Sequence, residues 1–354
     1  MIMKTRHLSL IAALLLILPF QSCYIHDDRD IVDNAEGNFD MLWKICDEYY
    51  CYFDYKNIDW NSIYDEYKPR VHNGMSEYEL FNVCAEMLAE LKDGHVNLSY
   101  PYDASRYWKW SEDYPENYSE RIVCEHYLKN DYQSKSGFVY KILPENIGYM
   151  HYDSFSSEFS ENLLDYILTQ FKDCKGIIFD IRNNGGGNIL NVNKLACRFT
   201  DKDGILYGYT LHKTGPGHSE FADTIPNYIK NSVTSVGGID NQNGRVKFLK
   251  DVVVLSNRSV YSAANDFIRA MKVLDNVTVI GDRSGGGGGI PCTFDLPNGW
   301  CVRLSTTPMI DINGVHTEFG IDPSEGFKVD MSEDAHITGK DAILDKAIEF
   351  LSTK

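Results

Sequence analysis

The residue best placed to do chemistry is Ser262, in the run Asn257-Arg258-Ser259-Val260-Tyr261-Ser262-Ala263-Ala264-Asn265-Asp266-Phe267. An apolar, β-branched stretch, Val252-Val253-Val254-Leu255, precedes it and reads as a buried strand. An amphipathic stretch follows, with Phe267, Ala270 and Met271 on one face, so Ser262 is expected where a strand turns into a helix. A hydroxyl there faces unpaired backbone N–H groups and a partial positive charge, and both favour an oxyanion. The same position also suits a serine that only caps the helix.

His95 is the second candidate. It follows Leu91-Lys92-Asp93-Gly94, where Gly94 is expected to end a helix, and it leads into a short strand, Val96 to Tyr100. A lone histidine at such a junction is more often structural, so its functional reading needs support from elsewhere. A third feature is the run Arg182-Asn183-Asn184-Gly185-Gly186-Gly187 after the buried strand Gly176–Ile181. It lacks the signatures of a phosphate loop, but its backbone N–H groups suit an oxyanion donor.

The elements that must position these residues alternate. Residues 37–93 carry helical periodicity in three stripes, the third opening on a capping box at Ser76 and Glu79. Residues 101–136 are polar, aromatic and irregular. Strands Phe138–Leu143 and Ile147–Tyr152 flank a Pro144-Glu145-Asn146 turn. Helix, strand and helix then repeat through Ser262 to Val277–Ile280. A second glycine run, Ser284–Gly289, precedes a hairpin around Pro297-Asn298-Gly299, and the last helix is Ala342–Leu351. This alternation predicts an α/β core with a mainly parallel sheet over 94–354, behind a small N-terminal helical unit over 37–93.

Composition narrows the function. The 354 residues carry a net charge of −17, which argues against a nucleic-acid partner. Lys4, Arg6 and His7 followed by an apolar run from Leu8 to Phe20 read as a signal peptide over 1–22. It closes on Phe20-Gln21-Ser22-Cys23, which resembles a bacterial lipoprotein processing site. Cys23 would then carry a lipid, residues 23–36 would form a tether, and the body would lie on the periplasmic face or the cell surface. The other eight cysteines include no Cys-x-x-Cys pair, so a zinc site has no support and most are expected as core fillers.

Four stretches together resemble the C-terminal processing (tail-specific) serine peptidases, including their tricorn-core relatives. They are Leu91-Lys92-Asp93-Gly94-His95, Phe179-Asp180-Ile181-Arg182-Asn183-Asn184-Gly185-Gly186-Gly187, Ser262-Ala263-Ala264-Asn265, and Gly281-Asp282-Arg283-Ser284-Gly285-Gly286-Gly287. A weaker fifth is Glu318-Phe319-Gly320-Ile321-Asp322-Pro323. The resemblance implies a ClpP/crotonase-like superhelical α/β core, Ser262 as nucleophile and peptides or unfolded protein as substrate, with no metal or cofactor. Where many members carry a lysine base, this chain has Gly287; the tricorn-like branch instead implies His95 as base, with Glu318 orienting it directly or through another polar group. Oxyanion donors would be the N–H groups of Ala263 and of Gly186 or Gly187. A histidine base predicts activity that rises with a pKa near 6 to 7. Asn265 stands where processing peptidases commonly carry glutamate, and the PDZ module usual in the family has no room between 101 and 136. The alternative is a non-catalytic ligand- or peptide-binding lipoprotein on the same fold.

Overall fold

The computed structural model describes residues 24–25 and 32–354 except 110, 111, 113, 236 and 237, with backbone alone at 24–25, 233–235 and 238–241. Cys23, the apolar run before it and most of the expected tether lie outside the described residues. Strand β1 (Tyr24–Ile25) is followed by helices α1 (Ala35–Tyr49), α2 (Phe53–Lys56), α3 (Trp60–Tyr67) and α4 (Glu77–Ala89). The capping box expected for α4 is present: Glu79 N–H donates to Ser76 Oγ at 3.3 Å, and Ser76 N–H donates to the Glu79 carboxylate at 2.8 Å.

The end of α4 differs from the expectation. The left-handed residue is Lys92 (φ 49°), not Gly94. Lys92 N–H donates to the Ala89 carbonyl at 3.0 Å, which closes the last turn before Gly94 is reached. Strands β2 (Asn97–Tyr100) and β3 (Asp103–Ala104) follow. The irregular stretch also holds a single helical turn, α5 (Glu120–Ile122), a wide turn over Val123–Tyr127, and β4 (Gln133–Lys135).

From there the order is β5 (Phe138–Leu143), β6 (Ile147–Tyr152), α6 (Glu161–Gln170), β7 (Ile177–Asp180), α7 (Leu190–Ala196), β8 (Ile205–Thr210), β9 (Ile225–Ile229) and a small hairpin, β10 (Ser232–Ser235) with β11 (Gly238–Asn241). Strand β12 (Val252–Ser256), helix α8 (Ala263–Met271), strands β13 (Val277–Gly281), β14 (Gly289–Asp295) and β15 (Cys301–Asp311), and helices α9 (Ala335–Thr338) and α10 (Ala342–Ser352) complete it. One sheet runs β13-β12-β7-β6-β5-β4, parallel from β13 to β6 and antiparallel beyond. In the other, β14, β15, β2, β3, β8 and β9 pair antiparallel and β1 lies parallel to β14. The architecture is therefore α/β with mixed sheets, the parallel part being the strands that lead into the two loops of interest.

Strand β7 has no polar alternation because both its faces are covered. Ile177 and Phe179 join a core with α6, α7 and α8, while Ile178 joins another with Ile343, Leu344 and Ala347 of α10. The N-terminal helices share a third core with the second sheet: Phe39, Leu42, Leu80 and Met87 pack with Phe294, Val302 and Leu304. The site is built along the seam between these bodies.

Arg182 ties β7 to the start of α10 and to the loop at Asn117. Its guanidinium, with no exposed surface, donates to Asp180 at 2.9 and 2.6 Å, to Asp341 at 3.0 Å and to the Asn117 carbonyl at 3.2 Å. Asp341 in turn caps α10 through Leu344 N–H at 3.0 Å. The pairing outweighs the burial that would otherwise push the Asp180 carboxyl up and holds it below its ordinary value. Arg182→Leu strands two buried carboxylates, so we expect a loss of about 3–5 kcal/mol. A urea midpoint equal to that of the parent protein would show that the network contributes nothing to stability.

Candidate active site

Ser262 sits at the junction of β12 and α8 with φ 57° and ψ −124°, a conformation that L side chains rarely adopt. Neighbouring backbone enforces it. Ser262 N–H donates to Gly286 O at 2.9 Å, Tyr261 N–H to Asn184 O at 3.1 Å, and Gly285 N–H to Val260 O at 2.8 Å. The capping reading fails, because the hydroxyl makes no cap hydrogen bond to α8. Its Oγ lies 3.0 Å from His95 Nε2 instead, joining residues 167 positions apart.

His95 is only 4% exposed. Burial, together with the nearby positive charges of Arg303 and Lys56, pushes its ring down to about 4, against the opposing pull of Asp93 and the Gly289 carbonyl. The imidazole is therefore neutral at neutral pH, with a lone pair available for the hydroxyl proton. Nδ1 is buried without a hydrogen-bond partner of regular geometry. The Tyr261 ring meets the imidazole edge-on at 5.0 Å.

Glu318 is close by but makes no hydrogen bond to His95. It accepts from Gly288 N–H at 3.0 Å and from Lys56 Nζ at 2.7 Å. Lys56 Nζ also donates to the Leu91 and Lys92 carbonyls at 3.2 and 3.1 Å, and lies 3.8 Å from Asp93. Asp93 accepts from the His95 backbone N–H at 2.8 Å and from Tyr50 Oη at 3.1 Å. The path from Glu318 to His95 thus runs through Lys56 and Asp93 and ends on the histidine's backbone. Burial and then Asp93 push the Glu318 carboxyl up to about 7, with Lys56 and the Gly288 N–H opposing. Burial alone would depress Lys56, but Glu318 and Asp93 outweigh it and hold the amine above its ordinary value. Lys56, Asp93 and Tyr50 carry no role in the sequence reading. Asp93 lay inside a motif, whereas nothing marked Lys56, which sits in a four-residue helix 262 positions from its carboxylate.

Of the oxyanion candidates, Gly186 is ruled out as a free donor, because its N–H is taken by Asn184 Oδ1 at 3.0 Å. Among the described residues no hydrogen bond occupies the N–H of Ala263 or Gly187. Gly186 serves another purpose: with φ 96°, a Cβ there would lie 2.6 Å from Tyr261 O. Gly287, where many relatives place lysine, has φ 73° and room for no side chain, since a Cβ would meet the Tyr261 ring at 2.5 Å. Asn265 ties α8 to both neighbouring loops, accepting from Ser284 Oγ at 2.6 Å and donating to Thr317 O at 3.1 Å. Among the described residues no cluster of His, Cys, Asp or Glu could hold a metal ion.

The model of "Peptidase family S41" matches residues 146–326 and that of the "Tricorn protease C1 domain" matches residues 32–89. A crystallised candidate peptidase from Parabacteroides merdae is 45% identical, with a TM-score of 0.82 over 90% of this chain and 97% of that one. A "Probable CtpA-like serine protease" of Staphylococcus aureus is 26% identical over 53% of this chain, so the chain matches only 33% of that relative's length. The photosystem II D1 C-terminal processing protease shares the fold, with a TM-score of 0.51 at 15% identity over 84% of this chain and 94% of that one. The S41 match spans more than half of the chain and the Parabacteroides relative aligns over nearly its whole length; the chain belongs to peptidase family S41.

Proposed function

We propose that the chain is a serine endopeptidase acting on peptides or unfolded protein, with Ser262 as nucleophile and His95 as base. The observation that carries this reading is the 3.0 Å contact between Ser262 Oγ and a buried, neutral His95 Nε2. Oγ attacks the scissile carbonyl carbon while His95 takes its proton. The oxyanion is met by the N–H groups of Ala263 and Gly187. The C–N bond then breaks as His95 returns the proton to the leaving amine. Water attacks the acyl-enzyme ester by the same route, with His95 again as base, and releases Ser262.

Asp93, Lys56 and Glu318 are positioning residues in this scheme. They fix the backbone at His95 and the 286–288 loop that holds Ser262. Ser262→Ala is expected to abolish both peptide hydrolysis and fluorophosphonate labelling while the protein stays folded. His95→Ala is expected to lower turnover by several orders of magnitude. Activity should rise as the His95 ring loses its proton, so the acid limb of kcat/KM falls near pH 4. That is lower than the sequence alone suggests, because burial favours the neutral ring. Near-parental hydrolysis by His95→Ala would sink the mechanism, and a folded, unlabelled parent protein would favour the ligand-binding alternative.

Lys56→Met removes the cation between two buried carboxylates, which is expected to cost about 3–5 kcal/mol at pH 8. The sign of the pH dependence follows from Glu318. Its folded pKa is raised, so its contribution to stability is present at low pH and is lost as pH rises through about 7. Without Lys56 the carboxyl holds its proton still more strongly, and the loss should be smaller at pH 5 than at pH 8. Equal losses at the two pH values would show that the ion pair is not what was removed.

We further propose that Cys23 is lipidated and holds the body on the periplasmic face or the surface of a bacterial cell, on the support of the Phe20–Cys23 site alone. The exported parent protein should enter the detergent phase on Triton X-114 partitioning, and Cys23→Ala should not. A parent protein found wholly in the aqueous phase ends this reading.

A further inference from the structure

Strand β5 is only partly covered along its outer edge. Strand β4 matches it from Phe138 to Tyr140, so Lys141, Ile142 and Leu143 run on past the end of β4. Ladder alternation decides which backbone groups this leaves open. Gly148 N–H donates to Gly176 O at 3.0 Å, towards β7, so Gly148 is turned away from Ile142, its neighbour on β5. Lys141 and Leu143 therefore bond to β6, and Ile142 turns its N–H and C=O outwards. Among the described residues no backbone or side-chain group beyond the ladder meets them. Upstream, Lys129 and Asn130 take left-handed φ values of 55° and 52°, and Lys141 Nζ holds Leu128 O at 2.8 Å. The chain turns there and never reaches Ile142.

Two hollows meet at this edge, one on each face of the sheet. The first, about 260 Å³, is walled by Tyr132, Tyr140, Gln170 and Phe171, on the side of the core that holds α6. The second, about 430 Å³, is walled by Lys129, Lys141, Leu143, Glu145 and Asp345, on the side that packs against α10. Ile142 lines both. It shares a strand face with the buried Phe138 and Tyr140 but is itself 43% exposed. The first hollow is mainly aromatic, whereas the second carries both signs of charge.

We propose that the open edge at Ile142 is an exosite that binds an extended segment of an unfolded protein by strand addition, favouring segments in which apolar and polar side chains alternate. A strand added beside β5 bonds to the Ile142 N–H and C=O. Its successive side chains fall on opposite faces, apolar towards the aromatic hollow and polar towards the charged one. Such alternation marks half-buried strands, whose apolar side a folded protein packs away. A second copy of this chain fits less well. Pro144 has no N–H to offer, so the edge supplies one residue's pair of bonds, far short of the roughly 800 Å² per partner of a stable dimer. Ile142 lies four residues from Phe138, and β5 lies three strands from β12. The edge is therefore on the order of 20 Å from the end of β12 that leads to Ser262. A chain held there presents its other segments to Ser262 at a raised effective concentration. The proposal rests on the serine endopeptidase reading and adds to it how a long substrate is held.

The test uses the Ser262→Ala protein and a fluorescein-labelled decapeptide that alternates valine or leucine with threonine or glutamine, read by fluorescence anisotropy. Its control has the same composition with the apolar residues in one block and is expected to bind about tenfold more weakly. N-methylating every second amide of the alternating peptide should cost about tenfold in one of the two possible sets and less than about twofold in the other, because one edge of the peptide faces β5. The Ile142 amide should exchange its hydrogen about tenfold more slowly with the peptide bound, a readout that needs no substitution at the edge. Proline is tolerated on an open strand edge, and Ile142→Pro removes the outward N–H. It should abolish binding of the decapeptide and leave hydrolysis of a four-residue chromogenic substrate by the otherwise parental protein unchanged. With twenty-residue substrates carrying the alternating segment at one end or the other, it should raise KM for at least one by about tenfold at constant kcat. Equal binding of the block peptide, no binding by either, equal effects of the two methylated sets, an unprotected Ile142 amide, or binding that survives Ile142→Pro each overturns the proposal. Protection of that amide by dimerisation without peptide does so too and gives the edge to a second copy. Selective binding with no hydrolysis or labelling by the parent protein removes the peptidase reading and leaves the peptide-binding edge. Hydrolysis of short and long substrates alike, unmoved by Ile142→Pro, does the reverse.

Discussion

The site depends on one strained residue. Ser262 holds a backbone conformation that its own Cβ disfavours, at a cost on the order of 1–3 kcal/mol, and it is held there by neighbours rather than by local preference. The neighbours are two glycine-rich loops pressed against the turn from either side. Gly286 receives the Ser262 N–H, and Gly186 comes so close to Tyr261 that a methyl group would not fit. The strain aims the hydroxyl away from α8, the helix it would otherwise cap, and towards His95. Gly186 of this motif is therefore explained by contact with the serine turn, whereas Gly187 lies against Phe155 and Ser156. Gly287 also explains how the chain departs from its lysine-bearing relatives, since the ring of Tyr261 fills the space a lysine would need.

A second layer of the site is electrostatic. Four ionisable groups, Lys56, Asp93, His95 and Glu318, are nearly or wholly buried within one network, with Tyr50 hydrogen-bonded to it. Such an arrangement gains little stability over a hydrophobic equivalent, but it fixes geometry, because each partner has few satisfactory alternatives. Here it joins the end of α4, the short helix α2 and the 317–320 loop. The consequence for His95 is a neutral ring. Burial and two positive neighbours work against the imidazolium and leave the neutral ring that the proposed base requires at rest.

Much of this was legible in the sequence, and the limits have physical causes. The buried strands β7 and β12 and the turn at Ser262 follow from apolar runs that meet a change of period. Ser262 and His95 lie on motifs, and the structure brings them together. What the sequence could not supply was direction. Glu318 was expected to orient His95 directly or through another polar group; its carboxylate turns to Lys56 and Gly288, and the link to His95 runs through Lys56 and Asp93. Gly186 was a candidate oxyanion donor, but its N–H is claimed by a side chain two residues earlier. Gly94 was expected to end α4, and Lys92 takes the left-handed turn instead, its carbonyl and that of Leu91 held by the Lys56 amine. All three differences trace to contacts between residues distant in sequence or to side-chain orientation, neither of which periodicity encodes. Arg182 is the converse case: its motif was the most recognisable, and the structure shows it bonded within the scaffold rather than facing Ser262.

The placement of His95 and Ser262 on different bodies has a consequence for cooperativity. His95 leads into a sheet whose core is shared with the N-terminal helices, whereas Ser262 belongs to the core around β7 and β12. A local unfolding event confined to the first body would withdraw the base and leave the serine turn in place. The contact between Ser262 and His95 exists only while both bodies are folded and docked. On the proposed mechanism, a nascent or partly denatured copy, surrounded by unfolded chains of its own kind, is inert until assembly of its own fold is complete.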